Sequence, residues 1–360
     1  MKINDLPRGI DGGKWNSGHV QGIAVDVKKG FVYYSFTTVL AKTDLLGNLI
    51  GYAGGLVGHL GCIDINPEDG KVYGSLEFKN DAIGQGIFKT LGKEGAPAED
   101  AFYVAIFDVD KITRPAMDAE KDGIMTAVWL PDVVEDYNGK GVNGENHRYG
   151  CSGIDGTSFG PVFGAPADSP SMLMICYGVY RDLARTDNDY QVILQYDWRR
   201  FAAVAKPLTQ EAPHHSGVRA EERYFFFTGN TTYGVQNLLY DPASRCWCVA
   251  VYVGKKPEFA NYSFFLIDGT KAPVKEPLRG MNGEEGAVLS PAPYGEPGMN
   301  GGAPGFRFPW GTTGIHALGN GYFYISHEGR TDPPEKLHTC HIHLYQADFA
   351  HPECFRLVEN

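Results

Sequence analysis

Five times along this chain a short stretch recurs, and each copy opens a run of apolar, β-prone residues. The copies are Gly18-His-Val-Gln-Gly-Ile23, Gly58-His-Leu-Gly-Cys-Ile63, Tyr149-Gly-Cys-Ser-Gly-Ile154, Tyr233-Gly-Val-Gln-Asn-Leu238 and Trp310-Gly-Thr-Thr-Gly-Ile315. An internal repeat constrains a fold more than any single motif, because each copy must build the same supersecondary unit. After each Ile or Leu anchor the chain turns and a second strand follows. Unit one reads Ile23-Ala-Val-Asp, a Lys28-Lys-Gly30 turn, then Val32-Tyr-Tyr-Ser-Phe-Thr37. Units two and five repeat this with turns at Pro67-Glu-Asp-Gly70 and Gly319-Asn-Gly321. These are hairpins with glycine-bearing turns.

Third and fourth strands follow in most units, as Phe102–Asp108 and Met125–Leu130 do in unit two. In unit four the fourth strand is expected near Ala287-Val-Leu289. Four antiparallel strands repeated five times predict an all-β fold, a five-bladed β-propeller occupying residues 1–360 as one domain. The blades are expected at about 17–57, 58–133, 147–229, 230–290 and 308–360. Unit five already holds four strands, so ring closure by a swapped terminal strand is not obvious, and residues 1–6 could add at an edge; how the ring closes is left open. No stretch carries a sustained helical period. The 46 glycines and 12% aromatic residues suit many short strands joined by tight turns.

The net charge of −11, with no basic run, argues against nucleic acid or an anionic membrane as partner. No segment approaches the roughly 20 apolar residues of a membrane-spanning helix, and the N-terminus has no apolar core of a signal peptide. Seven cysteines, most of them inside apolar strand patterns, read as reduced buried thiols, and the expected location is cytoplasmic.

Aligning the second strands exposes a ring of positions. Five residues on from Val32, Val72, Ile175, Trp247 and Tyr322 stand Thr37, Glu77, Tyr180, Tyr252 and His327. All five carry polar atoms. Period-two alternation puts them on one face at one strand end. The first strand of each hairpin starts where the second ends, so the repeat openings share that mouth. They add His19, Gln21, His59, Arg148, Tyr149, Ser152, Tyr233, Gln236, Trp310 and Thr313. Arg181, Glu328 and Arg330 follow the ring positions and are expected at the rim. Insertions at 80–100, 133–148 and 279–309 are expected to project on this mouth, and the one at 205–222 on the opposite face. A carboxylate at Glu77, between Leu76 and Phe78, needs a partner or a function. Asp64 and Asp155 directly follow their anchors on innermost strands, where His316 is the unit-five equivalent. The predicted catalytic set is Glu77, His327, Asp64, Asp155, Tyr180 and Tyr252. His19, His59 and His327 could hold a divalent cation in the central channel, with Glu77 beside them.

The repeat and its mouth resemble the five-bladed propellers of carbohydrate-active enzymes, the family typified by arabinanases and β-xylosidases. That resemblance implies carboxylates from successive blades acting as base, pKa modulator and acid. Asp64, Glu77 and Asp155 could supply such a trio, with Glu77 as the acid, although the first blade has Ala24 where that family has its base. The expected function is therefore glycoside hydrolysis of a small-molecule or oligosaccharide ligand at the channel mouth. Two alternatives remain open. One is a polysaccharide or oligouronide lyase using the His and Tyr residues as base and acid. The other is a non-catalytic binding propeller.

Overall fold

The structure is a computed structural model that describes residues 3–92, 99–229 and 233–359. It is a five-bladed β-propeller of small antiparallel sheets. The innermost strands are Gly22–Asp26, His59–Ile65, Cys151–Gly160, Val235–Asp241 and Ile315–Gly319, and each lies beside the next around the axis. Five apolar clusters fill the five gaps between neighbouring blades. Both faces of a middle strand are therefore covered. Val72–Phe78, Ala101–Phe107, Tyr190–Tyr196 and Cys246–Val251 are buried at every position. Ala101–Phe107 accordingly reads as a continuous apolar run rather than an alternating one. All seven cysteines are free and buried in this packing.

Strand exchange between blades is more extensive than the repeat suggests. Glu285–Val288 pairs in parallel with Glu222–Phe227, so the segment expected as the outer strand of blade four belongs to blade three. Blade four is completed instead by the short strand Gly305–Phe306. Consequently residues 279–309 spread along the outer edges of blades three and four. The 205–222 insertion reaches back to blade two, where Lys206–Pro207 pairs with Met125–Trp129.

The ring is closed by a terminal strand after all. Gly9–Trp15 pairs antiparallel with the long strand His338–Asp348 of blade five. The far half of that same strand takes Cys354–Leu357. The outer position of blade five is thus shared by two segments, one from each end of the chain. Of the 1–6 segment expected at an edge, Met1 and Lys2 lie outside the described residues. Ile3–Asp5 forms a single helical turn and Leu6 is buried between blades five and one.

Two helices are inserted. α1 (Ala82–Thr90) starts at Asp81, whose side chain accepts from the Ile83 and Gly84 amides. Phe88 is buried in the gap between blades one and two. A Cβ on Gly84 would stand 1.8 Å from the Lys79 carbonyl, so only glycine lets the helix seat there. α1 occupies part of the 80–100 insertion, of which residues 93–98 lie outside the described residues. α2 (Pro131–Asn138) has proline in its first turn and packs on blade three.

The axis is blocked at its waist. The residue before each anchor is Gly22, Cys62, Gly153, Asn237 or Gly314. The Asn237 amide donates to the carbonyls of Gln21 (2.9 Å) and Thr312 (2.8 Å). The Cys62 thiol donates to Asn237 Oδ1 at 3.3 Å. One side chain therefore ties blades one, two, four and five together across the channel.

Candidate functional site

Strand pairing fixes the ring register. Ile23 lies opposite Tyr34, Ile63 opposite Gly74, Ile154 opposite Tyr177, Leu238 opposite Val249 and Ile315 opposite Ile325. Three residues beyond each partner stand Thr37, Glu77, Tyr180, Tyr252 and Glu328. The fifth ring position is thus Glu328 and not His327. The cause is an irregularity in the blade-five hairpin, which pairs Ala317 with Phe323 and then Gly319 with Tyr322. A one-residue slip moves a side chain to the other face of its strand.

His327 accordingly points away from the channel. Its ring stacks on Trp310 (centroids 3.7 Å, planes 10° apart), lies 4.2 Å from His343, and its Nε2 is 2.8 Å from the Tyr345 hydroxyl. Burial and the neighbouring His343 and His341 lower its pKa to about 4. The expected trio of His19, His59 and His327 is therefore not assembled. Among the described residues, no three His, Cys, Asp or Glu side chains gather as a metal-ligating group.

Above the blocked waist lies a cavity of about 350 Å³. It brings together His19, Gln21, Thr37, His59, Glu77, Ser152, Asp155, Tyr233, Gln236 and Tyr252. Lys79, Ile83, Ile87 and Val179 also line it. Tyr180 stands outside, its ring stacked on His147 at 4.4 Å. Tyr149 and Arg148 belong to a separate cavity of about 650 Å³, where both bond Glu284. Arg181 is at the rim and donates to the Tyr233 hydroxyl at 2.8 Å. Glu328 and Arg330 are exposed near His19 and push its pKa in opposite directions, up and down respectively.

Glu77 is 4% exposed at the end of a fully buried strand. Its Oε2 accepts from the Ile154 amide at 2.9 Å, and Lys79 Nζ lies 2.6 Å from Oε1. Burial pushes the Glu77 carboxyl up, while the ammonium and the amide oppose that push. Burial alone would lower the Lys79 pKa, but the Glu77 and Asp81 carboxylates carry it above its usual range. Lys79 Nζ also donates to the Ser152 carbonyl at 2.8 Å and lies 3.4 Å from Asp81 Oδ2, at the cap of α1. Gly153 makes room for the carboxylate: a Cβ there would stand 2.0 Å from Glu77 Oε2.

The two inner-strand aspartates part company. Asp64 accepts from the Ile65 and Phe159 amides (2.8 and 3.0 Å) and the Ser158 hydroxyl (2.9 Å). It clamps blade two to blade three outside the cavity, with burial raising its pKa to about 6. Asp155 sits in an irregular stretch of pairing between Ile154 and Thr157 and turns into the cavity instead. Its Oδ2 accepts from Gln236 Nε2 at 3.2 Å. Burial, and then the Glu77 charge, raise its pKa well above the usual carboxylate range.

Two imidazoles complete the polar floor. His59 Nδ1 is buried without a hydrogen-bond partner, 3.7 Å from Glu77 Oε1. Burial, Lys79 and His19 lower its pKa to about 3. His19 Nε2 lies 3.1 Å from the Tyr252 hydroxyl across the mouth, and burial lowers its pKa. His316, the blade-five counterpart of Asp64 and Asp155, lies in another cavity, of about 460 Å³, with the turn residues Lys28, Pro67 and Gly70.

Lys79 was legible in principle, because it lies two residues beyond Glu77 and so on the same strand face. Ile83 and Ile87 had a signal in their four-residue spacing, which places both on one face of a helix.

No family model matches the chain, and no curated protein matches it. Among solved structures, the Dos1 propeller matches with a TM-score of 0.30 and 9% identity, covering 92% of this chain and 82% of its own. A luciferin-regenerating enzyme matches with a TM-score of 0.36 and 10% identity, covering 91% of this chain and 92% of its own. At these scores neither carries an argument about the site.

Proposed function

We propose that the chain is a carbohydrate-active hydrolase that cleaves a neutral glycoside in the blind cavity at the channel mouth. The observation that supports this best is the splitting of two neighbouring carboxyl groups. Burial and the Glu77 charge raise the Asp155 pKa well above the usual carboxylate range, while at Glu77 the Lys79 ammonium and the Ile154 amide oppose the rise that burial imposes. Pairs of titratable groups pushed apart by their surroundings mark acid and base roles. The acid role therefore goes to Asp155 rather than Glu77.

In this reading Asp155 donates its proton to the glycosidic oxygen as the bond to the sugar breaks. His59 Nε2 takes a proton from the attacking water, and the new hydroxyl stays on the sugar. Glu77 Oε1 lies 3.7 Å from Nδ1, and its charge stabilises the imidazolium as it forms, against the burial that lowers the ring's pKa. His59 returns its proton through solvent, and Asp155 regains one. Gln21 and Gln236 offer amides to sugar hydroxyls, and Tyr233 and Tyr252 offer ring faces.

The cavity is at the small end of ligand pockets, which span about 300–1,000 Å³. That size favours one terminal unit over a threaded polymer. Of the cations that a lyase would need for a uronate carboxylate, Lys79 already serves Glu77 and Asp81 and Arg148 serves Glu284, which leaves Arg181 and Arg330 at the rim rather than a cation on the floor.

The test is a panel of 4-nitrophenyl glycosides and neutral oligosaccharides. Asp155→Asn and His59→Gln are each expected to lower kcat/KM by roughly 10²–10⁴-fold on whichever member is cleaved. Full activity in Asp155→Asn, or no turnover of any member by the wild-type chain, overturns the proposal.

A further inference from the structure

The cavity has two chemically opposite walls. Its floor carries Glu77, Lys79, His59 and Asp155, whereas one side is formed by Ile83 and Ile87 of α1 together with Val179. Phe88 and Gly84 seat α1 on blade two and are buried, while Ile83 is 58% exposed. In sequence, further exposed large apolar residues follow the second strands of blades two, three and four: Leu91 after α1, Leu183 beyond Tyr180, and Val253 beyond Tyr252. Apolar surface left beside a polar reacting centre marks where a ligand's apolar part lies.

From this wall we infer that the substrate is amphiphilic: a sugar whose leaving group is an alkyl or aryl aglycone resting on Ile83 and Ile87. The inference rests on the hydrolase reading for its polar half and on the isoleucine wall for its apolar half. The sugar enters the floor, and the scissile oxygen lies between floor and wall. The aglycone runs out along α1, because the waist below is blocked by Asn237. A purely polar oligosaccharide would leave the isoleucines in contact with water or desolvate its own hydroxyls against them.

The experiment measures binding and cleavage of n-alkyl β-glucosides, β-galactosides and β-xylosides, from ethyl to octyl, by calorimetry and product release. Affinity for at least one sugar is expected to rise by about fourfold per added methylene until the wall is covered. Ile83→Ser/Ile87→Ser is expected to flatten that rise, with a thermal midpoint close to wild type confirming that α1 still seats. A flat response to chain length in all three series, or an unchanged rise in the double variant, overturns the inference. Chain-length-dependent binding without cleavage retains the amphiphilic site and refutes hydrolysis. Cleavage without chain-length dependence does the reverse.

Discussion

The Glu77–Lys79 pair offers the sharpest perturbation. At 2.6 Å, with both side chains nearly buried, the Coulomb attraction is about 6 kcal/mol at an effective dielectric of ~20. Most of that offsets the desolvation of the two ions, so the net worth of the intact pair is small. Removing one partner is different. Lys79→Met leaves a buried carboxylate supported only by the Ile154 amide, at a cost of roughly 3–5 kcal/mol. Glu77→Gln leaves Lys79 with Asp81 and the Ser152 carbonyl, so its cost is lower, about 1–3 kcal/mol. The double variant removes both charges and should lose only about 1–2 kcal/mol, because methionine retains the length of the lysine stem. Urea unfolding of the four chains at pH 7 gives the cycle, and the summed single losses should exceed the double loss by about 2–7 kcal/mol. A pH series adds an independent check. Without the ammonium, burial holds the folded-state pKa of Glu77 above its unfolded value. Protonation then supports the fold at low pH, and that support is lost as pH rises through the folded pKa. The Lys79→Met penalty should therefore grow from pH 5 to pH 8, at up to 1.36 kcal/mol per unit. A Lys79→Met loss below about 1 kcal/mol, or additive single losses, refutes the assignment of a charged buried pair.

Three further outcomes are expected. Gly153→Ala places a methyl 2.0 Å from Glu77 Oε2 at φ +132°, so it should cost roughly 3 kcal/mol or more; Gly30→Ala (φ +79°, open space) is the control for backbone strain alone, and equal losses by chemical denaturation would contradict the clash. Asp155 has a raised folded pKa, so its contribution is complete below its unfolded value and fades as pH rises through the folded one. Asp155→Asn should therefore gain thermal stability relative to wild type between pH 4.5 and pH 8, and a pH-independent difference would count against the raised pKa. Asn237→Ala strips the donors from two carbonyls at the waist and should lose about 2–4 kcal/mol in thermal or chemical unfolding, whereas a loss under about 0.5 kcal/mol would mean the tie is incidental.

The repeat carried the architecture because each copy needs a neighbour on both sides, and five copies close a ring. It also carried much of the pocket: His19, Gln21, His59, Glu77, Asp155, Tyr233, Gln236 and Tyr252 all come from repeat openings, ring positions or the residue after an anchor. What it could not show depends on single-residue irregularities. Counting from Tyr322 assumed a regular turn, and the slip at Ala317 and Gly319 exchanged His327 for Glu328. Asp64 and Asp155 are equivalent by count, yet irregular pairing turns one into the cavity and leaves the other between blades. Strand swapping was equally hidden, because Gly9–Trp15 and Glu285–Val288 find partners in units remote from their place in the sequence.

The strand that closes the ring has a consequence for how the chain is made. Gly9–Trp15 is made about 330 residues before its partner strand begins. At about 5–20 residues per second, it waits for roughly 16–66 s with its backbone donors and acceptors unpaired. Its composition suits that wait. Gly9, Asp11, Gly12, Gly13 and Lys14 leave only Ile10 and Trp15 as apolar residues, and charge and glycine are what keep an open edge from pairing with another chain. The segment that must remain idle longest during synthesis is among the least adhesive strands in the molecule.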